Sequence, residues 1–107
     1  MGRMKKSRRI IPIPEIKECL DNVLFRYEHV IRASLFGSYA TGDATGKSDI
    51  DIYLEGDKEF GFSDESSIKS ELEEMLMKDI DVVTESNDKS FMDHLHRTKI
   101  VLYERRA

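Results

Sequence analysis

The apolar positions of the chain change period several times, and each change predicts an element. Ile16, Cys19, Leu20, Val23, Leu24 and Tyr27 follow the i, i+3, i+4, i+7, i+8, i+11 spacing of a one-sided amphipathic helix, with Pro14 in its first turn. Val30 to Phe36 is short and mostly apolar and reads as a strand. Asp49 to Leu54 alternates, with Ile50, Ile52 and Leu54 on one face and Asp49, Asp51 and Tyr53 on the other. After a loop through Gly56 to Phe62, Ser63 or Asp64 is the expected N-cap of a second helix, whose apolar side carries Ile68, Leu72, Met75 and Leu76. Ile80 to Val83 reads as a third strand, Phe91, Met92 and Leu95 as one side of a short helix, and Ile100 to Tyr103 as a final strand. Helices and strands alternate, so the expected fold class is α/β: a small sheet covered by helices. Gly42 and Gly46, between the first two strands, are expected only to permit a loop.

Composition narrows the setting. The 107 residues suffice for one domain, and 39% apolar with 36% charged residues fits a globular chain. No apolar run approaches the roughly 18 residues of a membrane span, and no apolar leader precedes the first helix, so no membrane association is expected. The single cysteine, Cys19, lies on the apolar side of its helix; it is expected to be a buried structural thiol in a reducing cytoplasm. Charge is unevenly spread. Arg3, Lys5, Lys6, Arg8 and Arg9 occupy the first nine residues with no acid among them, which leaves 12 basic against 21 acidic residues in 10–107. Residues 1–9 are therefore expected to be a basic, disordered tail, and 10–107 a single domain. A body this acidic would repel a nucleic-acid backbone, so nucleic acid is not the expected partner.

The alternation at Asp49–Leu54 poses a chemical question. Asp49 and Asp51 point the same way along a strand, with Cα atoms about 6.5–7 Å apart. Two carboxylates so placed repel each other unless a cation lies between them, and oxygen-only ligands favour a hard ion such as Mg²⁺ or Mn²⁺. Asp81, in the apolar run "DIDVV", supplies a third carboxylate; Asp79 lies on the same strand face and is an alternative. Upstream, Gly37 has no Cβ and lets a phosphate approach its backbone. Ser38 adds a hydroxyl beside amides that would point outward if a helix begins there. A phosphate-binding turn with three carboxylates is the equipment of two-metal chemistry at a nucleoside triphosphate.

These residues also carry a resemblance. Gly37-Ser38, ten intervening residues and Asp49-x-Asp51 are similar to the signature of the DNA-polymerase-beta-like nucleotidyltransferase superfamily. The run "GSYATGDATGKSDIDI" resembles its minimal nucleotidyltransferase branch, whose members are often antitoxins encoded beside HEPN-domain toxins. The likeness extends from the leading helix to the closing "IVLYE" and implies a nucleotidyltransferase-like mixed sheet flanked by helices. Thr41 departs from the pattern, standing where arginine is most frequent; Lys47 or a partner group would then neutralise the triphosphate.

The resemblance implies nucleotidyl transfer from ATP. Asp49, Asp51 and Asp81 would hold Mg²⁺ or Mn²⁺, Gly37, Ser38 and Lys47 the triphosphate, and Asp81 would take the acceptor proton. The acceptor it implies is a tyrosine hydroxyl of a cognate HEPN toxin. Two other readings use the same residues: an antitoxin that neutralises its partner by contact alone, and a transferase acting on a small molecule or RNA.

Overall fold

The computed structural model describes residues 6–105. Helix α1 (Ile13–Leu24) buries Ile16, Leu20, Val23 and Leu24 on one side. Pro14 is tolerated in its first turn because an N–H there has no intrahelical acceptor in any case. Strand β1 (Val30–Phe36) runs directly into the short helix α2 (Gly37–Thr41), and a segment through Ser48 and Asp49 leads to strand β2 (Ile50–Gly56). Helix α3 (Phe62–Leu76), strand β3 (Ile80–Val83), helix α4 (Lys89–Thr98) and strand β4 (Ile100–Glu104) complete the described chain.

The strands form one mixed sheet in the order β3-β2-β1-β4. β1 is antiparallel to both β2 and β4, while β2 and β3 are parallel. The parallel pair is joined through α3, as a crossover requires. Alternation along β2 then assigns the two faces. Ile52 and Leu54 join Leu35 of β1 in a core closed by Ile16, Leu20 and Leu24 of α1 and by Ile68 and Leu72 of α3. Each fully buried Leu or Ile contributes about 1.5–3 kcal/mol, so this face supplies most of the stabilisation. The opposite face is thinner: Phe36 and Tyr53 are covered by Leu95 of α4, with Phe91 edge-on to Phe36 at 6.0 Å between ring centroids. Asp51 shares this second face with Tyr53. No helix among the described residues is long and apolar enough to cross a membrane.

Several expectations shift in detail. β2 begins at Ile50, leaving Asp49 just ahead of the ladder, and continues to Gly56. α3 begins at Phe62 with Gly61 as an N-cap that makes no side-chain bond, so Ser63 and Asp64 lie inside the helix and not at the cap. Asp64 and Glu65 instead place negative charge in its first turn, where free N–H groups favour it. Met75 is exposed, because the buried stripe of α3 is Ile68, Leu72 and Leu76 alone. α1 stops at Leu24, and Tyr27 packs on the core from beyond the helix end. Cys19 is only half-buried at the edge of the core; burial raises its thiol pKa, which suits a structural role. Gly46 does more than permit a loop: a Cβ there would lie 1.9 Å from the carbonyl oxygen of Arg8. Of the expected basic tail, residues 1–5 lie outside the described residues.

Candidate active site

The turn from β1 into α2 and the start of β2 meet at one corner of the sheet. Phe36 faces Asp51 across the antiparallel ladder, and Gly37 follows as the first residue of α2. Gly37 adopts φ +69°, in the left-handed region open to glycine. A Cβ built on it would lie 2.1 Å from Oδ2 of Asp51 and 3.0 Å from Cγ. The absent side chain therefore makes room first of all for the Asp51 carboxylate, a neighbour that sequence reasoning did not foresee. Ser38 is half-buried in the same turn, and its carbonyl accepts the N–H groups of Gly42 and Asp43, closing α2 after a single turn.

Around Asp51 stand the other two predicted carboxylates. Asp81 of β3 is its register partner in the parallel ladder, and Asp49 precedes it by two residues. Asp49 and Asp81 are exposed, whereas Asp51 is half-buried. Burial raises the Asp51 carboxyl to about 6, and the charges of Asp81 and Asp49 add to the rise. Asp79, the alternative on β3's approach, is engaged elsewhere: its carboxylate pairs with Lys6 at 2.6 Å. Its carbonyl accepts the N–H of Ile50 at 3.0 Å, which ties the approach to β3 beside the start of β2.

Lys47 is not drawn into this corner by any side-chain bond among the described residues. It is exposed between α2 and β2, and its backbone N–H donates to Oγ1 of Thr45 at 3.2 Å. The Thr41 hydroxyl donates to Oδ2 of Asp43 at 2.9 Å, a local bond at the end of α2. A group that sequence reasoning missed is Lys78, which is 4% exposed and donates to the Gly46 carbonyl at 2.6 Å. Nothing in the periodicity marks a lysine for burial, since lysine is almost never fully buried unless paired.

The donor set suits a hard divalent cation: three carboxylates on neighbouring strand positions, with no thiol or imidazole among them. Among the described residues no three such side chains are already closed around a common point. Side-chain rotation is what would gather Asp49, Asp51 and Asp81, since their strands are hydrogen-bonded neighbours about 4.8 Å apart. The corner is an open edge, not a cavity. A cavity of about 390 Å³ does exist at the opposite end of β2, lined by Glu55, Asp57, Phe60, Phe62 and Glu85 among others, but it includes none of the predicted site residues.

Comparison with known proteins places the fold in a family. Residues 18–107 match the family model described as polymerase beta, nucleotidyltransferase. A Methanocaldococcus jannaschii chain named "Putative protein adenylyltransferase MJ0435" is 43% identical over 72 residues, which are 67% of this chain and 76% of that one. Among solved structures, a toxin–antitoxin complex with AMP-PNP contains a chain that superposes with a TM-score of 0.71 at 21% identity, covering 84% of this chain and 74% of that one. A tri-AMPylated Shewanella oneidensis HEPN toxin in complex with an MNT antitoxin gives 0.63 at 17% identity, covering 84% and 71%. At such identities these superpositions show a shared fold, while the family match spans most of the chain. The chain belongs to the polymerase beta nucleotidyltransferase family.

Proposed function

We propose that this nucleotidyltransferase moves AMP from ATP onto a tyrosine hydroxyl of a HEPN-type toxin, and that it acts as the antitoxin of that pair. The observation that carries the reading is the carboxylate corner: Asp51 half-buried against Gly37, Asp81 beside it in register, Asp49 two residues ahead. The relative named a protein adenylyltransferase supports the choice of nucleotide and of a protein acceptor. The shared fold with an MNT antitoxin bound to an AMPylated HEPN toxin supports the partner.

In this reading Asp49, Asp51 and Asp81 would hold Mg²⁺ or Mn²⁺. Such ions, when bound, stabilise the charge that develops on the attacking and leaving oxygens. The chain's own groups do the rest. Gly37 and Ser38 receive the triphosphate through backbone amides and one hydroxyl, and Lys47 is the candidate cation for its outer charge. Asp81 is exposed at the edge of the corner, which supports it as the carboxylate that would take the acceptor's proton. Asp51, held against Gly37, fixes the position of the set. The half-buried Cys19 thiol is compatible with a reducing cytoplasm, where we place the reaction.

The test uses ATP labelled at either the α- or the γ-phosphorus, with Mg²⁺ and a purified HEPN partner. Covalent label on the partner from α-labelled ATP only, with release of pyrophosphate, is the expected result. Label from the γ-position, or none from either, would overturn the proposal.

A further inference from the structure

The corner holds four aspartates, not three. Asp49 and Asp51 alternate along the β2 side, and Asp79 and Asp81 occupy the equivalent positions along β3, where Ile50 pairs with Ile80 and Asp51 with Asp81. By alternation alone Asp79 is as good a cation ligand as Asp81. Asp79 is half-buried just ahead of β3 and Asp81 exposed within it, and a further difference comes from another part of the chain. Residues 6–11 run as a strap along this side of the molecule. The Ser7 N–H donates to the Met77 carbonyl at 2.6 Å, the Arg8 carbonyl lies against Gly46, and the N–H of the buried Ile11 donates to the Tyr39 hydroxyl at 3.3 Å. These three attachments deliver Lys6, whose Nζ lies 2.6 Å from Oδ1 of Asp79.

We propose that Lys6 is a positioning residue that withholds Asp79 from the metal cluster, so that of four carboxylates only Asp49, Asp51 and Asp81 are left to a cation. The inference rests on the metal site proposed above. An ammonium in contact with Asp79 offsets its charge and engages one of its two oxygens, Oδ1. The strap makes the arrangement specific. Gly46 is required because any side chain would strike the Arg8 carbonyl, and with Arg8 displaced, Lys6 would lose its seat. Lys6 is exposed on the surface, so its replacement leaves the core untouched.

The test is a Mn²⁺ titration of the full chain, read from the electron paramagnetic resonance signal of free Mn²⁺, in parallel with transfer rates. Lys6→Ala frees Asp79 and removes a positive charge. The expected result is Mn²⁺ binding tightened by about two- to fivefold, the range of one exposed charge pair, together with slower transfer because the ion is drawn toward Asp79. Adding Asp79→Asn to Lys6→Ala should restore both affinity and rate, and Lys6→Arg should keep both near the parent. Two outcomes would overturn the proposal, each read from Mn²⁺ binding alone: unchanged Mn²⁺ affinity in Lys6→Ala, or a tightened affinity that Asp79→Asn does not bring back to the parent value. The Mn²⁺ titration reads Lys6 whether or not the chain transfers a nucleotide, so failure of the proposed function and failure of this inference are separable.

Discussion

Gly37 and Asp51 are fitted to each other: the space a Cβ would fill on the glycine is held by Oδ2 of the aspartate, 2.1 Å from that Cβ position. One contact thus joins the phosphate turn at the end of β1 to the carboxylate strand β2. Even Gly37→Ala should therefore disable the site, through displacement of Asp51 and through the cost of φ +69° for a residue with a side chain. Ser38→Ala removes one hydroxyl and leaves the backbone amides, so it should cost about 1.5–3 kcal/mol in kcat/KM, the scale of one hydrogen bond to a charged group. Transfer assays on both variants, after circular dichroism confirms folding, should rank Gly37→Ala well below Ser38→Ala; equal effects would contradict the fit.

The raised carboxyl of Asp51 has a consequence for stability. Its folded-state value is about 6 against 3.8 in the unfolded chain, so between these values the folded state holds a proton that the unfolded state has released. This group therefore costs stability as pH rises from about 3.8 to 6, and the full cost is present above 6. Asp51→Asn should raise the melting temperature at pH 8 in the presence of a chelator and flatten the decline between pH 4 and 6. A lower melting temperature for Asp51→Asn at pH 8 would show that its charge is stabilised in the fold.

The same proton competes with a metal ion. Mn²⁺ should raise the melting temperature of the parent more at pH 7.5 than at pH 5.5, because binding requires the ionised carboxylate. Asp51→Asn should abolish most of the shift at either pH. An equal Mn²⁺ shift at both values would exclude Asp51 as the ligand whose proton must leave.

Behind the carboxylates, α4 is held chiefly by Leu95, which is 1% exposed between Phe36 and Tyr53. Leu95→Ala should cost about 2–5 kcal/mol by denaturant unfolding, as for other fully buried leucines. Because Phe36 leads directly into Gly37, the variant should also slow transfer under conditions where it remains folded.

Much of this was legible in the sequence, for identifiable reasons. The period-two run puts Asp51 on the face opposite Ile50, Ile52 and Leu54, with Asp49 just ahead of the strand, and the parallel register places Asp81 beside Asp51. The start of α3 was illegible because Gly61 caps it without a side chain and Phe62, the first helical residue, is 79% exposed and so adds nothing to the apolar stripe. Met75 falls at a helical spacing from Leu72 and Ile68, yet the edge of that stripe faces solvent. Asp79 and Asp81 could not be separated, since alternation gives both the same face. In the structure Asp79 alone of the two pairs with Lys6, brought there by contacts such as Arg8 with Gly46 that leave no mark in local patterning.

The most direct test of the central claim is the intact mass of the HEPN partner after co-expression with this chain. Partner from cells expressing the parent chain should be heavier by one or more AMP units, and partner co-expressed with Asp49→Asn/Asp51→Asn should be unmodified and still toxic. An unmodified partner that both versions nonetheless neutralise would contradict nucleotidyl transfer and leave neutralisation by contact.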